Sequence, residues 1–346
     1  MNPRILLGMS GGTDSSVSAI LLQQQGYEVV GITFQFWEGA DNQHLEDARE
    51  LCRKLGIEHI TYDARKLFKE KIVGYFVSEY LAGRTPFPCV KCNNELKWQL
   101  LIAEADRLNC PKVAMGHYVN IETENGRYFV CQGVDPDKDQ SFFLWGLTQQ
   151  QLERIVFPLG KMLKTDVRQI AAAHGFQKVS EKKDSLGACF CEGDYRPFLK
   201  SQIANPEELI YPGNFVDETG KRLGQHEGYA MYTVGQRRGL VHLNRKVFVK
   251  EIKAETNEVV LAPLSAMYKT EFNIHSVNVV DKTIFGNENN IYCRIRYRKQ
   301  NTACKVLFLE NNRAQVILHE PLESVAPGQS AVFYLNNRVI GGGFIE

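Results

Sequence analysis

Three cysteines occur in contexts that favour chemistry over simple packing. Cys89 and Cys92 form a C-x-x-C pair in PCVKCNNELKW, residues 88–98, where prolines stiffen the chain ahead of a predicted helix. Cys189 lies in GACFCEGDYRPFL, residues 187–199. A thiol beside a helix N-terminus has a lowered pKa and reacts more readily. These residue types therefore predict nucleophiles or metal ligands.

The C-x-x-C pair alone has a second interpretation, since such pairs also occur by chance or in structural metal knuckles. No second C-x-x-C or H-x-H partner follows at zinc-ribbon spacing, which argues against a four-ligand structural zinc site. Cys191 is two residues from Cys189, so in an extended segment it would point the opposite way. It ranks below the other three cysteines as a ligand.

A stretch rich in glycine and hydroxyl groups, SGGTDSS at residues 10–16, follows the apolar run at residues 5–9. Gly11 and Gly12 let backbone N–H groups approach a ligand closely, and a helix N-terminus adds partial positive charge. Together these features favour a bound phosphate group. The loop has no lysine and lacks the Walker A spacing, and the alternative is a turn capped by serine.

The elements that position these residues alternate between strand and helix in the first half of the chain. This alternation predicts a parallel sheet covered on both faces, with ligands bound beyond the carboxyl ends of its strands. The predicted strands are 4–9, 28–36, 58–62 and 112–116, and the predicted helices are 15–25, 45–55, 68–81 and 95–108. Gly26 is expected to close the first helix.

The chain changes character after about residue 200, where helical periodicity fades and short β-rich segments begin. These segments are 246–252, 258–261, 272–280, 292–297, 303–308, 314–318 and 330–334. Turns are expected at Gly286-Asn287 and Asn311-Asn312. The pattern predicts small β domains, of which the last is a barrel. We place the domain boundaries after residues 204 and 266.

The composition is that of an ordinary soluble globular protein, with 346 residues, 44% hydrophobic and 23% charged. A net charge of +1 means that a polyanion would bind a local patch and not a globally basic body. No apolar run approaches membrane-spanning length, and we expect no secretory leader. Nine cysteines, an odd number, favour a reducing cytoplasm.

The stretch GMSGGTDSS, residues 8–16, resembles the pyrophosphate-binding loop of the ATP pyrophosphatase superfamily. Those enzymes split ATP into AMP and pyrophosphate and place the AMP on a substrate oxygen. More narrowly, nearly the whole chain resembles the bacterial tRNA 2-thiouridylase family, because its motifs occur in the family's order. They are GMSGGTDSS, TPFPCVKCNNELKW, GHY, DKDQSFFLW, GACFCEGDYRPFL, YTVGQRRGL, RIRYR and APGQSAVFY.

The resemblance implies an α/β fold: a Rossmann-like, adenine-nucleotide alpha-hydrolase-like parallel sheet domain (1–204), a small β-rich central domain (205–266) and a C-terminal β-barrel that contacts tRNA (267–346). It also implies an ATP site in which Asp14 helps to position Mg²⁺ and Phe34 lies beside the adenine. The residues implied to bind ATP are Gly8, Met9, Ser10, Gly11, Gly12, Thr13, Asp14, Ser15, Phe34 and Gly116.

The activity that the resemblance implies is ATP-dependent 2-thiolation of the wobble uridine of tRNA, a transferase reaction in two steps. ATP adenylates the uridine C2 oxygen and releases pyrophosphate, and a persulfide sulfur then displaces AMP. Cys92 matches the family's nucleophile and Cys189 its persulfide-bearing cysteine. The chemistry agrees, since adenylation makes a poor leaving group good and a second thiol can release the sulfur by forming a disulfide.

One position departs from the family pattern. Many members have Asp three residues before the nucleophile, whereas this chain has Cys89 there. Cys89, Cys92 and Cys189 could therefore instead hold a 4Fe–4S cluster with one iron open to carry a sulfide. Related tRNA thiolases use such clusters, and the persulfide and cluster routes both remain open at this point.

A basic face for tRNA must be built locally. Arg294, Arg296 and Arg298 alternate along the chain, so on a strand they would share one face, and Lys299 would extend this basic patch. A second candidate for a basic patch is the pair Arg237-Arg238. The alternative for such a run is a solvated face. By resemblance, the tRNA contacts are His117, Lys138, Asp139, Gln140, Arg296, Tyr297 and Gln329. The uridine in the anticodon loop would have to unstack from its neighbouring bases before the enzyme could reach it.

The resemblance further implies tRNAs for Lys, Glu and Gln as substrates, and a cysteine desulfurase or a sulfur-relay protein as the donor. No membrane partner is expected. Two other functions compete: another adenylating enzyme of the superfamily, such as an amidotransferase-type synthetase, or a non-catalytic RNA- or metal-binding module on the same fold. The first needs an ammonia or amino-acid site that the sequence does not suggest, and the intact loop at residues 10–16 argues against the second.

Overall fold

The computed structural model describes residues 2–37, 43–176, 187–191, 193–287, 290–297 and 301–346. They form two compact units. The first contains Met1–Ile72, Cys89–Phe190 and Leu335–Ile340, and the second contains Val73–Pro88, Cys191–Tyr334 and Gly341–Glu346.

A five-stranded parallel sheet forms the centre of the first unit, in the order β3-β2-β1-β4-β7. Its strands are β1 (Arg4–Gly8), β2 (Glu28–Gln35), β3 (Glu58–Asp63), β4 (Lys112–Ala114) and β7 (Ile155–Val156). The middle residues of β1 and β2 are fully buried, as expected for strands covered on both faces. The predicted parallel sheet is therefore confirmed.

The helices of this unit follow the strands closely. They are Thr13–Gln24, Gln43–Leu55, Arg65–Phe68, Trp98–Arg107, Gln149–Arg154 and Lys164–Ala173. Gly26 has a φ of +86° just beyond the first helix, which confirms its predicted role at the helix end. The predicted helix 95–108 begins instead as a π-helix, Asn93–Lys97, which continues the short helix Pro88–Cys92.

An antiparallel hairpin was missed in the first half of the chain. Strands β5 (Val119–Glu124) and β6 (Arg127–Gln132) are joined by Asn125-Gly126, both with positive φ. Asn-Gly between two strands is a strong signal for a hairpin turn, so the sequence did contain the information. Arg338 pairs with Cys131 of β6 and forms ion pairs with two glutamates of β5.

The second unit begins with a small sheet in the order β10-β11-β8-β9. Its strands are β8 (Gly213–Val216), β9 (Arg222–His226), β10 (Phe248–Lys253) and β11 (Glu258–Ala262). The helices of this unit are Gly74–Leu81, Tyr195–Ser201, Pro206–Leu209 and Ile284–Asn287. Gly286-Asn287 therefore ends a short helix, and the turn predicted there is wrong.

A closed barrel completes the fold, in the order β12-β15-β14-β13-β16-β17, and β17 pairs back onto β12. Its strands are β12 (Tyr268–Val279), β13 (Ile291–Arg294), β14 (Thr302–Leu309), β15 (Arg313–Glu323), β16 (Ser330–Leu335) and β17 (Arg338–Ile345). Asn311 and Asn312 form the predicted turn, with φ of 56° and 55°. The predicted β-rich second half and terminal barrel are confirmed. Within the described residues, no helix is both long and apolar enough to cross a bilayer.

Candidate active site

The loop after β1 is held together by its own hydroxyl groups. The Ser15 hydroxyl donates to the Gly12 carbonyl at 3.0 Å, and the Ser10 N–H donates to the Ser15 hydroxyl at 3.3 Å. Gly12 takes the N-cap position, where no side chain caps the helix. The Ser10 hydroxyl also accepts the Gly12 N–H at 3.4 Å, so the alternative of a turn held by serine stays open. Gly11 has a φ of 68°, and a Cβ there would lie 2.6 Å from the His44 carbonyl oxygen, so only glycine fits.

Asp14, in the first turn of the helix Thr13–Gln24, is held by two side chains from distant parts of the chain. The Lys164 ammonium lies 2.7 Å and 2.9 Å from its two carboxylate oxygens, and the Tyr118 hydroxyl donates to Oδ1 at 2.6 Å. The lysine Nζ is also 5.6 Å from the centre of the Tyr118 ring. The Lys164 side chain is 9% exposed and that of Asp14 33% exposed. The carboxylate thus has a fixed orientation and a fixed countercharge.

The segment after β4 brings Tyr118 to Asp14. Gly116 touches the backbone of Asp14, where a Cβ would lie 3.0 Å from the Asp14 carbonyl carbon. Gln140 braces Tyr118, since its side-chain oxygen accepts the Tyr118 N–H at 3.0 Å. Asp139 is buried and accepts hydrogen bonds from Gly133, Ser141 and Gln132. The side chains of Asp139 and Gln140 thus organise the site, and their contact with tRNA stays a prediction, as does that of half-buried Lys138.

Phe34, at the carboxyl end of β2, belongs to an aromatic cluster. Its ring stacks on Phe36 at 5.7 Å, Phe36 contacts Phe68 at 5.2 Å, and Phe68 meets Phe190 at 5.6 Å. Phe190 is the neighbour of Cys189 in the chain. The cluster therefore joins the strand end predicted to carry adenine to the segment that carries the predicted persulfide.

The three predicted cysteines come together in the first unit. Cys92 is 7% exposed and ends the helix Pro88–Cys92, Cys89 is half-buried on the same helix, and Cys189 is exposed. The charge of Cys189 raises the pKa of both Cys89 and Cys92, so the three thiols lie within electrostatic range of one another. Residues about 100 positions apart in the chain are thus brought to one place.

The expected lowering of the thiol pKa values is wrong. Burial raises the pKa of Cys92 to about 11 and raises the pKa of Cys89 as well. Desolvation by the surrounding protein also raises the pKa of Cys189, although its side chain remains accessible to solvent. The ammonium of Lys97 acts in the opposite direction on all three thiols. Lys97 ends the π-helix that follows Cys92, and π-helical turns are frequent at functional sites. Desolvation outweighs this charge, so the resting thiols are protonated at neutral pH.

The geometry does not supply a ready metal site. Across the ranges that the structure describes, no three His, Cys, Asp or Glu side chains converge closely enough to hold a metal ion. Cys89, Cys92 and Cys189 are neighbours but do not form such a set for a single ion, and an iron–sulfur cluster on these three cysteines stays a prediction. Asp14 offers a single carboxylate, which suits Mg²⁺ only when substrate phosphates supply further oxygens.

His117 is buried against two aromatic side chains. Its ring lies 5.6 Å from the Trp98 ring and meets Phe157 edge-on at 6.2 Å. Burial lowers the pKa of His117 to about 3, and the charge of Lys97 adds to this effect, so the imidazole is neutral throughout the physiological range. Its Nδ1 has no partner among the described residues, and neither do Asn93 Oδ1 and Asn94 Nδ2. All three atoms are buried away from solvent.

The predicted basic strand face of the second unit is partly wrong. β13 ends at Arg294, because its ladder with β14 stops at the Cys293–Thr302 pair, so Arg296 lies beyond the strand. The Arg294 guanidinium packs over the Tyr334 ring at 4.3 Å, whereas Arg296 is exposed. Tyr297 is half-buried in the same bend. Arg298 and Lys299 lie outside the described residues. The Gln329 amide donates to the carbonyls of Thr85 and Pro86 at 3.0 Å and 3.2 Å.

Comparison with known proteins accounts for nearly the whole chain. Residues 3–193 match a family described as the tRNA methyl transferase HUP domain, residues 197–263 the PRC-barrel domain of the same name, and residues 269–345 the aminomethyltransferase beta-barrel domain. The tRNA-specific 2-thiouridylase MnmA 2 of Phocaeicola vulgatus is 52% identical over 346 residues, 99% of this chain and 98% of that one. The chain belongs to the tRNA-specific 2-thiouridylase family.

A second relative agrees with this assignment. The tRNA-specific 2-thiouridylase MnmA of Amoebophilus asiaticus is 42% identical, with 99% of this chain and 95% of that one covered. Among solved structures, a 4-thiouridine synthetase–RNA complex with bound ATP reaches a TM-score of 0.41 at 16% identity, over 60% of this chain and 52% of that one. The predicted family and the predicted class of enzyme, a transferase that uses ATP, are confirmed at the level of the 2-thiouridylase family.

Three residues of this candidate site were not predicted from the sequence. Tyr118 had a signal, because it ends the GHY motif at the carboxyl end of a strand. Lys97 had a weaker one, since it follows Cys92 by five residues on a predicted helix. Lys164 had none, because it lies 150 residues from Asp14 and no local spacing relates the two.

Replacement of Lys97 by Met is expected to raise the pKa of the Cys92 thiol further, because the variant loses the positive charge that opposes the effect of burial. Only the thiolate reacts, so the alkylation rate climbs with pH up to the pKa. At any fixed pH below about 11 the variant should therefore react more slowly than the wild-type protein. Residue-resolved mass spectrometry after iodoacetamide pulses across a pH series measures this profile.

Lys91→Met is the matched control. Lys91 lies one residue before Cys92, but its ammonium pairs with Glu95 at 2.6 Å and does not act on the thiols in the way that Lys97 does. This variant should keep the wild-type profile. An identical profile for Lys97→Met and the wild-type protein would contradict the role given to Lys97.

Proposed function

We propose that this chain thiolates the C2 position of the wobble uridine of tRNA by ATP-dependent adenylation followed by sulfur transfer from a cysteine persulfide. The observation that carries the proposal is the meeting of Cys92 and Cys189 in the same unit as a phosphate-type loop with a fixed carboxylate. The names of the relatives and the family assignment support the same reaction.

In the first step, the uridine C2 oxygen attacks the α-phosphorus of ATP, an O–P bond forms, and pyrophosphate leaves. Residues 8–15 hold the phosphates through their backbone N–H groups and the positive end of the helix Thr13–Gln24. Phe34 and Gly116 border the nucleotide. Mg²⁺ held by Asp14 and the phosphates would neutralise negative charge on the leaving group. Adenylation turns a poor leaving oxygen into a good one.

In the second step, the terminal sulfur of a Cys189 persulfide attacks C2 and AMP leaves, which joins Cys189 to the base through a disulfide. The Cys92 thiolate then attacks the Cys189 sulfur, and the Cys92–Cys189 disulfide forms as the thiocarbonyl of the product is released. An external dithiol reduces that disulfide before the next cycle. A cysteine desulfurase or a relay protein supplies the persulfide sulfur.

The raised thiol pKa values give this order a physical reason. Cys92 and Cys189 are mostly protonated at rest, so neither attacks an activated base prematurely. A persulfide is a strong nucleophile at neutral pH, so loading with sulfur activates the site. A 4Fe–4S cluster on Cys89, Cys92 and Cys189 remains the second candidate for the sulfur carrier.

Recognition of tRNA is assigned to two groups of residues. We propose that the exposed Arg296, with Tyr297, contacts the backbone, and that His117, Lys138 and Gln140 lie near the extruded base. The unpartnered atoms of His117 and of the asparagines after Cys92 suit the polar edge of uracil. Gln329 and Asp139 act by holding loops. The tRNAs for Lys, Glu and Gln are the proposed substrates.

Pyrophosphate release tests this function. The protein should release pyrophosphate from ATP in the presence of a wobble-uridine tRNA, and release should fall to background without tRNA or with a transcript that has cytidine at the wobble position. A coupled phosphate assay after pyrophosphatase treatment measures both. Pyrophosphate release that does not depend on tRNA would favour another adenylating enzyme of the superfamily. No release under any condition would favour a non-catalytic module.

A further inference from the structure

Residues 228–250 concentrate positive charge in a chain that is nearly neutral overall. The whole chain has 41 lysines and arginines against 40 acidic residues, whereas this segment has no aspartate or glutamate. Its cationic side chains are Arg237, Arg238, Arg245, Lys246 and Lys250. A polyanion that binds a nearly neutral protein needs a local patch of this kind.

Most of these charges face solvent without a countercharge. Lys250 is the exception, since its ammonium pairs with the Glu218 carboxylate at 2.6 Å. The other four side chains are exposed, and within the part of the chain that the structure describes none of them has an ion-pair partner: Arg237, Arg238, Arg245 and Lys246. A patch of one sign attracts a partner of the opposite sign, whereas an ordinary solvated face mixes both signs.

Two of the unpaired charges lie on one short loop, residues 233–239, which we name the arginine loop. The Gly235 N–H donates to the Val249 carbonyl at 2.8 Å, and the Val249 N–H donates to the Gln236 carbonyl at 2.9 Å, so the loop is fixed to strand β10. The Gln236 side chain accepts the N–H of the first loop residue at 3.1 Å and donates to the Arg238 carbonyl at 2.8 Å. Because the backbone is already fixed, binding through its guanidinium groups costs less conformational entropy.

Guanidinium groups at this position suit phosphate. An arginine side chain stays charged at every physiological pH and can give a phosphate two parallel N–H donors. An RNA backbone presents one phosphate for every nucleotide, so it can meet several charges of the patch at once. A tRNA is also the polyanion that the proposed function already requires.

We propose that the arginine loop, together with Arg245 and Lys246, binds the phosphate backbone of the tRNA substrate. The proposal rests on the proposed function, because that function supplies the tRNA. Phosphate contacts position a nucleic acid but carry no sequence information. The patch should therefore add affinity for every tRNA alike, and the choice of the wobble base stays with the residues proposed to lie near the extruded base.

Fluorescence anisotropy with dye-labelled tRNA transcripts across a salt series tests this assignment. The double variant Arg237→Gln/Arg238→Gln should bind tRNA about tenfold more weakly at about 0.1 M salt, and its slope of log Kd against log salt concentration should fall by about two. The loss should be equal for a transcript with uridine at the wobble position and for one with cytidine there.

Three further variants separate charge from folding. Arg237→Lys/Arg238→Lys keeps both charges, so it should keep the wild-type salt slope and lose less than about threefold in affinity. Arg245→Gln/Lys246→Gln lies outside the braced loop and should also lower the slope. Lys221→Gln/Lys305→Gln removes two exposed charges elsewhere in the second unit and should bind tRNA as the wild-type protein does.

Two results would overturn the proposal alone. One is a wild-type salt slope in both glutamine double variants of the patch. The other is unchanged tRNA binding in those variants together with slower persulfide loading from a cysteine desulfurase, which would assign the patch to an acidic face of the sulfur-donating protein. Failure of the wild-type protein to bind tRNA would overturn the proposed function as well.

Discussion

Alanine at Cys92 or at Cys189 is expected to reduce tRNA thiolation by at least about a thousandfold, while ATP binding is retained. Each variant removes one sulfur of the proposed two-sulfur relay, so the transfer cannot be completed by the proposed route. Groups that act as a unit lose their effect together, so the double variant should be no worse than either single one. Mass spectrometry of nucleosides after reaction with a desulfurase, cysteine and ATP measures the product.

The two variants should stop at different points. Cys92→Ala keeps Cys189 and should accumulate its persulfide, or the disulfide between Cys189 and the base, because the thiol that releases the sulfur is missing. Cys189→Ala should accumulate adenylated tRNA and no persulfide at the site. Both intermediates are visible by mass spectrometry of the intact protein and of digested tRNA. Persulfide loading of Cys92 in place of Cys189 would reverse the two roles.

Cys89→Asp distinguishes the two sulfur carriers. It restores the residue that many relatives have at this position, so a persulfide enzyme should keep most of its activity. A cluster enzyme would lose an iron ligand, and with it the iron and the activity. Iron and sulfide quantitation after anaerobic purification accompanies the assay. Stoichiometric iron in the wild-type protein, lost together with thiolation in Cys89→Asp, would contradict the persulfide mechanism.

The contrast between Cys92 and Lys164 shows what the sequence could and could not predict. Local spacing was sufficient for the strand, loop and helix at residues 4–24, because a glycine-rich loop between a strand and a helix has a recognisable chain context. The roles of Cys92 and Cys189 follow from the family resemblance and stay predictions. The ion pair of Asp14 with Lys164 joins two helices that are far apart in the chain. Only the packing of those helices brings the two charges together.

The prediction that the thiol pKa values are lowered was wrong for a related reason. Cys89 and Cys92 were predicted to lie in a rigid loop ahead of a helix, whereas Cys92 ends the helix Pro88–Cys92. The depth at which this helix lies could not be predicted, and desolvation is the largest influence on the pKa of the Cys92 thiol. The predicted strand 292–297 was too long, because a strand continues only as far as it has a partner to hydrogen-bond with. The arginine alternation continues past Arg294, whereas the ladder with β14 stops at Cys293. The division of the chain after residues 204 and 266 stays a prediction.

Alanine at Asp14 is expected to lower adenylation by at least about a hundredfold, the second large effect that the site predicts. The variant removes the carboxylate that would hold Mg²⁺, and it leaves the ammonium of Lys164 buried without its partner. Loss of stability alone could then imitate loss of catalysis. Because the Asp14 side chain is one-third exposed, we expect the destabilisation to be modest, about 1–2 kcal/mol.

Tyr118→Phe distinguishes the effect of orienting the Asp14 carboxylate from the effect of its charge. It removes the hydroxyl that donates to Asp14 at 2.6 Å but keeps the ring under the Lys164 ammonium, so the ion pair persists. The loss of one hydrogen bond should slow adenylation by about tenfold, well short of the Asp14→Ala effect. Tm values measured beside pyrophosphate release separate folding from chemistry. Wild-type pyrophosphate release by Asp14→Ala would remove this carboxylate from the mechanism, and with it the reason for a fixed Asp14 at the loop.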